Sequence, residues 1–289
     1  MFDKIKIVTD STTSLSKEEC ENLGLICLET TYMLDEELHS AFDQEEVSLP
    51  DFYKKLTTVK KCSTGCINID TFETCFEDLI KQGYKVIYLG LSAALSSTFS
   101  NAQVARNNLE EKYNQKLIGL IDTRCASYGS LIMIERVQEL ITEGKDVAEI
   151  EEIVNAEAKT ISVAFVTPDL TFLYKSGRAS AFESKLGKIL KVVPIVYVSD
   201  DDAKLKARDK CIGMKLTLKR LKNDFVSYIN NKKHRKCYLT SCYMDKEVED
   251  VKNYIAEHTH IKAEDIKTGY IDKTLSCCCG PRTVAIFCL

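Results

Sequence analysis

Val86-Ile-Tyr-Leu-Gly-Leu-Ser-Ala-Ala-Leu-Ser-Ser-Thr-Phe-Ser100 decides how the rest of the chain is read. Its opening residues, Val86 to Leu91, are a short apolar run rich in β-favouring side chains and predict a buried strand. The remainder is small and hydroxylic, with Ser92, Ser96, Ser97, Thr98 and Ser100. A helical pattern starts at Thr98 and continues to about Tyr113. The serines therefore fall between the carboxyl end of a strand and the start of a helix. In open parallel α/β sheets that position is the usual ligand crevice. Backbone N–H groups at a helix start point outward unpaired, and small hydroxyls beside them suit an oxyanion. The competing reading is that Ser96 or Ser97 simply caps the helix.

Outward from this stretch the same chemistry recurs. Ile5 to Thr9 predicts a strand, and Asp10-Ser-Thr-Thr-Ser14 places an acid and four hydroxyls at its end. Ser16 to Leu23 predicts a helix with Ser16 as cap, Glu19 closing a capping box and Gly24 ending it. Leu25 to Met33 predicts a second strand, 35–47 an exposed acidic loop, and Ser48 a further helix start with Pro50 in its first turn. Lys60 to Ile69 reads as a loop with its tip at Thr64-Gly65. Asp70 and Glu73 predict a capping box for a helix to Gln82, closed by Gly83. A strand over Lys116 to Ile121 and helices from about Ser130 to Glu143 and Asp146 to Lys159 complete this half. Strand and helix alternating in this rhythm argue for a parallel sheet covered on both faces.

The pattern changes near residue 160. Ile161 to Val166 predicts a strand, Asp169 to Tyr174 a helical turn, and Lys175 to Ser180 a tight turn carrying Arg178. A helix over Ala181 to Lys191 follows. Val193 to Val198 and Ala203 to Arg208, joined by Asp200-Asp-Asp202, predict an antiparallel hairpin. Helices over Met214 to Asn230 and Lys246 to His258 and strands over Cys237 to Cys242, Ile266 to Ile271 and Val284 to Leu289 finish the chain. The expected fold is α/β: a parallel-sheet α/β domain over 1–160 and an α+β domain with a largely antiparallel sheet over 161–289.

Composition narrows the function. At 289 residues, 45% hydrophobic and 28% charged with a formal net charge of -4, the chain has no basic excess pointing to nucleic acid. No apolar run approaches the ~20 residues of a membrane span, and the first residues lack a signal-peptide layout. A reducing, cytoplasmic setting is the expectation. The 13 cysteines include no Cys-x-x-Cys pair, and most sit in apolar runs where a thiol acts as a small hydrophobe. Their spacing argues against a zinc or redox site. The run Cys277-Cys278-Cys279 stands apart, and the histidines at 39, 234, 258 and 260 form no ligand cluster with it.

These residues carry a resemblance to the DegV family of bacterial fatty-acid-binding proteins, nearly end to end. Ile7 to Leu15 resembles its first strand and Asp-Ser motif. Thr64-Gly-Cys-Ile-Asn68 falls where the family has Thr-Ser-Gln-Pro-Ser. Leu91 to Phe99 resembles its Ser-Ser-x-Leu-Ser-Gly-Thr loop, with Ala93 in place of the second serine. Ile121 to Ser127 resembles Asp-Ser-x-x-Ala-Ser, and Leu173 to Ser180 resembles Leu-x-x-Gly-Gly-Arg-Ile. Where the family often has His-Thr-Gly-Pro-Gly, this chain has Cys278-Cys-Gly-Pro-Arg282.

The resemblance implies a carrier that is not itself an enzyme. An acyl chain lies in an apolar tunnel between the domains, and a partner kinase phosphorylates its carboxylate to the acyl-phosphate. Thr64, Ser92 and Ser96 are the implied head-group ligands. Cys278 takes the histidine's place, and Arg178 and Arg282 stand near enough in sequence to add charge. Arg178 as a turn arginine bonded to carbonyls, and Arg282 facing solvent, are the alternatives. The cysteine run is expected beside the head group, binding no metal. No cofactor is implied beyond the fatty acid, and transient membrane contact is compatible with the role. The chain has no phosphate-cradling glycine loop of its own. A hydrolase or phosphotransferase built on the serine loops is the rival, poorly supported without a nearby histidine or Gly-x-Ser-x-Gly. A thiol or metal sensor on Cys277–Cys279 is the other.

Overall fold

A computed structural model of the chain describes residues 4–42, 47–178 and 192–289. The helix expected over 181–191 lies outside the described residues. The apolar half of the opening stretch is β6 (Tyr84–Gly90), and it pairs in parallel with β1 (Lys4–Asp10) and β7 (Ile118–Asp122). β2 (Ile26–Leu28) extends the sheet beyond β1, giving the order β2-β1-β6-β7. Successive side chains point to opposite faces of a strand. Val8, Val86, Tyr88 and Leu120 accordingly pack against α3 (Ile69–Lys81) and α4 (Thr98–Tyr113). Ile7, Ile87, Leu89 and Ile121 face α5 (Tyr128–Thr142) and α6 (Val147–Glu157).

The second half forms a mixed six-stranded sheet of order β10-β9-β8-β13-β11-β12. Its strands are β8 (Ser162–Val166), β9 (Val192–Val198), β10 (Leu205–Ile212), β11 (Cys237–Ser241), β12 (Lys267–Tyr270) and β13 (Val284–Cys288). Every neighbouring pair is antiparallel except β11 with β12. One face packs on α8 (Met214–Lys232) and α9 (Asp245–His258). From the other, Val163, Tyr238, Ala285 and Phe287 meet the cluster around α5. That helix thus lies between two sheets, and Tyr128 to Ile134 are buried without a break, the pattern of a helix with no wet face. A Cβ at Gly129 would stand 2.6 Å from Cys125 Sγ and 2.9 Å from the Phe287 ring, so α5 and β13 approach as only glycine allows.

A third, three-stranded antiparallel sheet corrects the sequence reading. β3 (Thr31–Leu34) pairs with β4 (Glu37–Ser40) and with β5 (Cys62–Gly65). The Leu25–Met33 run is therefore two strands in two sheets. The stretches expected as loops at 35–47 and 60–69 each contain a four-residue strand. These strands are too short to show a period and exist by pairing; the Asp35 carboxylate fixes their geometry by accepting from Lys60 N and Lys61 N, both at 3.0 Å. On this sheet pack α2 (Leu49–Leu56) and a short helix the sequence pattern left unassigned, α10 (Lys273–Cys279). α1 (Lys17–Asn22) has both capping-box bonds between Ser16 and Glu19. α3 is capped by Asn68, which accepts from Thr71 N at 2.8 Å, and not by Asp70.

Candidate functional site

The loop after β1 is a knot of internal bonds. Asp10 is 1% exposed. One carboxylate oxygen accepts from Thr12 N at 3.0 Å and from the Thr12 hydroxyl; the other accepts from Tyr88 Oη at 2.8 Å and Leu91 N at 3.2 Å. Burial and the adjacent carboxylate push the Tyr88 hydroxyl well above its ordinary range. Asp10 therefore ties β1 to the end of β6, with its accepting capacity filled. Asp122 does the same for the serine loop, accepting from Ala93 N at 3.2 Å and Arg124 N at 2.9 Å.

Beyond these loops a cavity of about 240 Å³ opens between the strand ends of the parallel sheet and the inner face of the mixed sheet. That is many times the room of one water, in an interior otherwise closely packed. Leu91, Leu95, Val163, Phe165, Val198 and Phe287 supply apolar wall. Thr12, Thr30, Thr64, Ser96, Thr98 and Thr274 supply hydroxyls. Arg178 is the one charged side chain among the described residues of the lining.

Of the residues singled out from sequence, Thr64, Ser96, Arg178 and Cys278 share this wall. Thr64 Oγ1 lies 4.0 Å from Cys278 Sγ. Ser96 accepts from Thr98 N at 3.2 Å and lies 3.0 Å from Thr98 Oγ1, so it braces the first residue of α4, whose N-cap position is Ser97, and also faces the cavity. Arg178 joins both readings too: it lines the cavity while Nε donates to Leu95 O at 3.3 Å and Nη1 to Ser176 O. Burial raises the Cys278 thiol above its usual range, with nearby Arg178 acting in the opposite direction.

Two of the residues singled out lie outside this wall. Ser92 is fully buried but outside the wall. Its backbone shapes the loop, N donating to Cys125 O at 3.0 Å and O accepting from Leu95 N at 2.9 Å and Ser96 N at 3.2 Å. Its hydroxyl is buried with no hydrogen-bond partner among the described residues. Arg282 is exposed, at φ 62°, and absent from the wall, although its neighbour Thr283 and β13's Ala285 and Phe287 line it.

The cysteine run divides. Cys278 and Cys279 line the cavity. Cys277 instead is joined to Cys62 as a disulfide, Cα atoms 5.7 Å apart, a pairing the sequence reading did not contain. The partner lies 215 residues away, beyond the reach of any spacing rule. Cys279 is held well above the usual thiol range by its hydrogen bond with Cys242 and by burial.

Thr30 and Thr274 are lining residues that sequence reasoning missed. Their hydroxyls lie 2.9 Å apart, with Ser11 Oγ 2.7 Å from Thr30 Oγ1. Ending β2 at Leu28 would have placed Thr30 at a strand's carboxyl end, level with Asp10; the unbroken reading of 25–33 hid it.

The chain was compared with known proteins. Residues 4–289 match the family described as uncharacterised protein, DegV family. A DegV domain-containing protein of Clostridium perfringens is 30% identical over 290 residues, covering 98% of this chain and 97% of the relative. One of Streptococcus pyogenes serotype M1 is 25% identical, covering 97% and 96%. Among solved structures, a DegV-family protein of Ruminococcus gnavus, described with vaccenic acid, has a TM-score of 0.86 at 18% identity, covering 98% of this chain and 99% of that one. A Thermus thermophilus DegV-family protein, described for fatty acid binding, has a TM-score of 0.85 at 19% identity, covering 99% of both. The two solved structures share the fold, and the match along the sequence carries more: the chain belongs to the DegV family.

Proposed function

We propose that the protein binds a long-chain fatty acid in the cavity between its sheets and carries it, carboxylate toward Thr64, Ser96, Arg178 and Cys278, to a separate kinase that forms the acyl-phosphate. The observation that carries this reading is a largely apolar cavity with hydroxyls and, among its described residues, a single cation. Fatty acids occupy the described Ruminococcus and Thermus relatives, which supports the same ligand class here. Each buried methylene contributes ~0.8 kcal/mol, so the acyl chain supplies most of the affinity. A carboxylate cannot enter bare, because an unpaired buried charge is costly. Hydroxyl donors, the Arg178 guanidinium and a neutral Cys278 thiol answer that need without placing a negative charge beside the ligand. The division into 1–160 and 161–289 and the cytoplasmic setting belong to this proposal. So does the absence of metal, cofactor and nucleic-acid partner. Among the described residues no helix is long and apolar enough to cross a membrane.

Denaturing mass spectrometry of the purified protein is the direct test. A co-purifying long-chain fatty acid supports the carrier; an empty protein that also fails to bind added stearic acid overturns it. Arg178→Gln should weaken stearic acid more than stearyl alcohol. Acyl-phosphate should need both ATP and the kinase, and its formation by this protein alone would favour an enzyme.

A further inference from the structure

The strand that carries Thr64 and the helix that carries Cys278 are covalently joined. Cys62 begins β5, two residues before Thr64, and Cys277 precedes Cys278 in the last turn of α10. Residues two apart on a strand face the same way. Thus one face of β5 presents a sulfur to Cys277 and a hydroxyl to Cys278. The fatty-acid cavity includes Thr64 and Cys278 in its wall. A second cleft, of about 230 Å³, shares no residue with that cavity and is walled by Cys62 and Cys277 themselves, with Val59, Phe172 and Pro281. The disulfide therefore sits between a surface cleft and the ligand. Exposed Lys60 and Lys175 line the cleft, and cations favour a thiolate approaching a disulfide.

We propose that Cys62–Cys277 is a reversible thiol–disulfide site, reached through this cleft, that sets how firmly the Thr64 strand closes on the acyl head group. The ligand in this proposal rests on the fatty-acid reading above. The thiolate of a dithiol reductant attacks Cys62 Sγ, the less buried sulfur, and Cys277 leaves as a thiolate and takes up a proton. The reductant's second thiol then attacks the mixed disulfide. Cys62 is released as a thiol and the reductant ends as a disulfide, two electrons and two protons having passed to the protein. β5 is an edge strand of four residues, and the disulfide is its one covalent tie to α10 among the described residues. Reduction loosens the wall and speeds ligand exchange.

The test compares wild-type protein, oxidised and after dithiothreitol, for release of stearic acid to phosphatidylcholine vesicles. Alkylation under denaturing conditions should count two more free cysteines after reduction. Release should be roughly tenfold faster in the reduced protein. Cys62→Ser/Cys277→Ser should release at the reduced rate whatever the redox state. Equal rates in the two wild-type states, an alkylation count that does not change, or a redox response that survives in the double variant each overturn the proposal. Amide exchange over 62–65 and 273–279, measured without ligand, should rise on reduction, and unchanged exchange counts against the clasp. If neither redox state binds stearic acid, the fatty-acid reading fails and exchange alone decides whether the clasp exists.

Discussion

The loops after β1 and β6 are built alike, small hydroxyl residues at the carboxyl ends of neighbouring parallel strands, yet they do different work. In the first, Asp10 gathers four donors, Ser11 bonds to Thr30 and Ser14 to Asp272 and Ser127, and Thr13 Oγ1 is buried without a partner among the described residues; only Thr12 of that loop reaches the cavity wall. In the second, Leu95 to Ser97 stand on the wall, and two backbone amides of the surrounding loop are fixed by Asp10 and Asp122. Composition and position do not separate a fastening from a binding surface. What separates them is which of their side chains stand on the cavity wall.

Replacing Asp10 should break that contrast most sharply. Asp10→Ala strands Thr12 N, Leu91 N and the Tyr88 hydroxyl in a dry interior, and should cost about 3–5 kcal/mol in urea unfolding. An unchanged midpoint with lost ligand binding would move Asp10 to the binding side of the comparison.

Asp272 is the next test, a half-buried acid that caps α10 by accepting from Leu275 N and also accepts from the Ser14 hydroxyl, both at 2.9 Å. Burial pushes its carboxyl up to about 6 from 3.8. The folded state thus holds the proton more tightly than the unfolded chain, so its contribution to stability falls as pH rises from about 4 through 6. Asp272→Asn should therefore gain about 2–3 kcal/mol relative to wild type between pH 4 and pH 7. A difference that stays flat with pH would show a carboxyl unaffected by burial.

Thr64→Val should act the opposite way to Asp10→Ala, weakening stearic acid by about 1–3 kcal/mol while leaving the unfolding midpoint in place. A shifted midpoint with full affinity would make Thr64 another fastening. The smallest effect belongs to Arg282→Ala, which should leave affinity within about twofold because the side chain is exposed and outside the wall.

Local chemistry was legible in the sequence where one short segment decides it. Ser16 and Glu19 form their capping box because both partners lie within one turn. The apolar runs of β1, β6 and β7 specify a parallel sheet because each is buried on both faces. Sequence reading failed where a distant segment decides. Nothing in Cys62 to Gly65 marks a strand except β3 alongside it, and the break between β2 and β3 is set by which sheet each half joins. In the site, Thr64, Ser96, Arg178 and Cys278 were found through motifs. Thr30 and Thr274 meet across 244 residues and left no local mark. Ser92 shares its loop and chemistry with Ser96, and the sequence does not say that Ser96 lines the wall while Ser92 does not.

The helix enclosed between two sheets limits what can be cut apart. A fragment ending at residue 160 would bare the side of α5 that meets Val163, Tyr238 and Phe287, and the remaining fragment would bare those residues in turn. Both would carry a broad apolar patch prone to self-association. Expressed separately, the halves should be insoluble or depend on each other for folding. Residue 160 thus marks a change of topology beside a shared apolar cluster, and truncation at that point should not yield a working half.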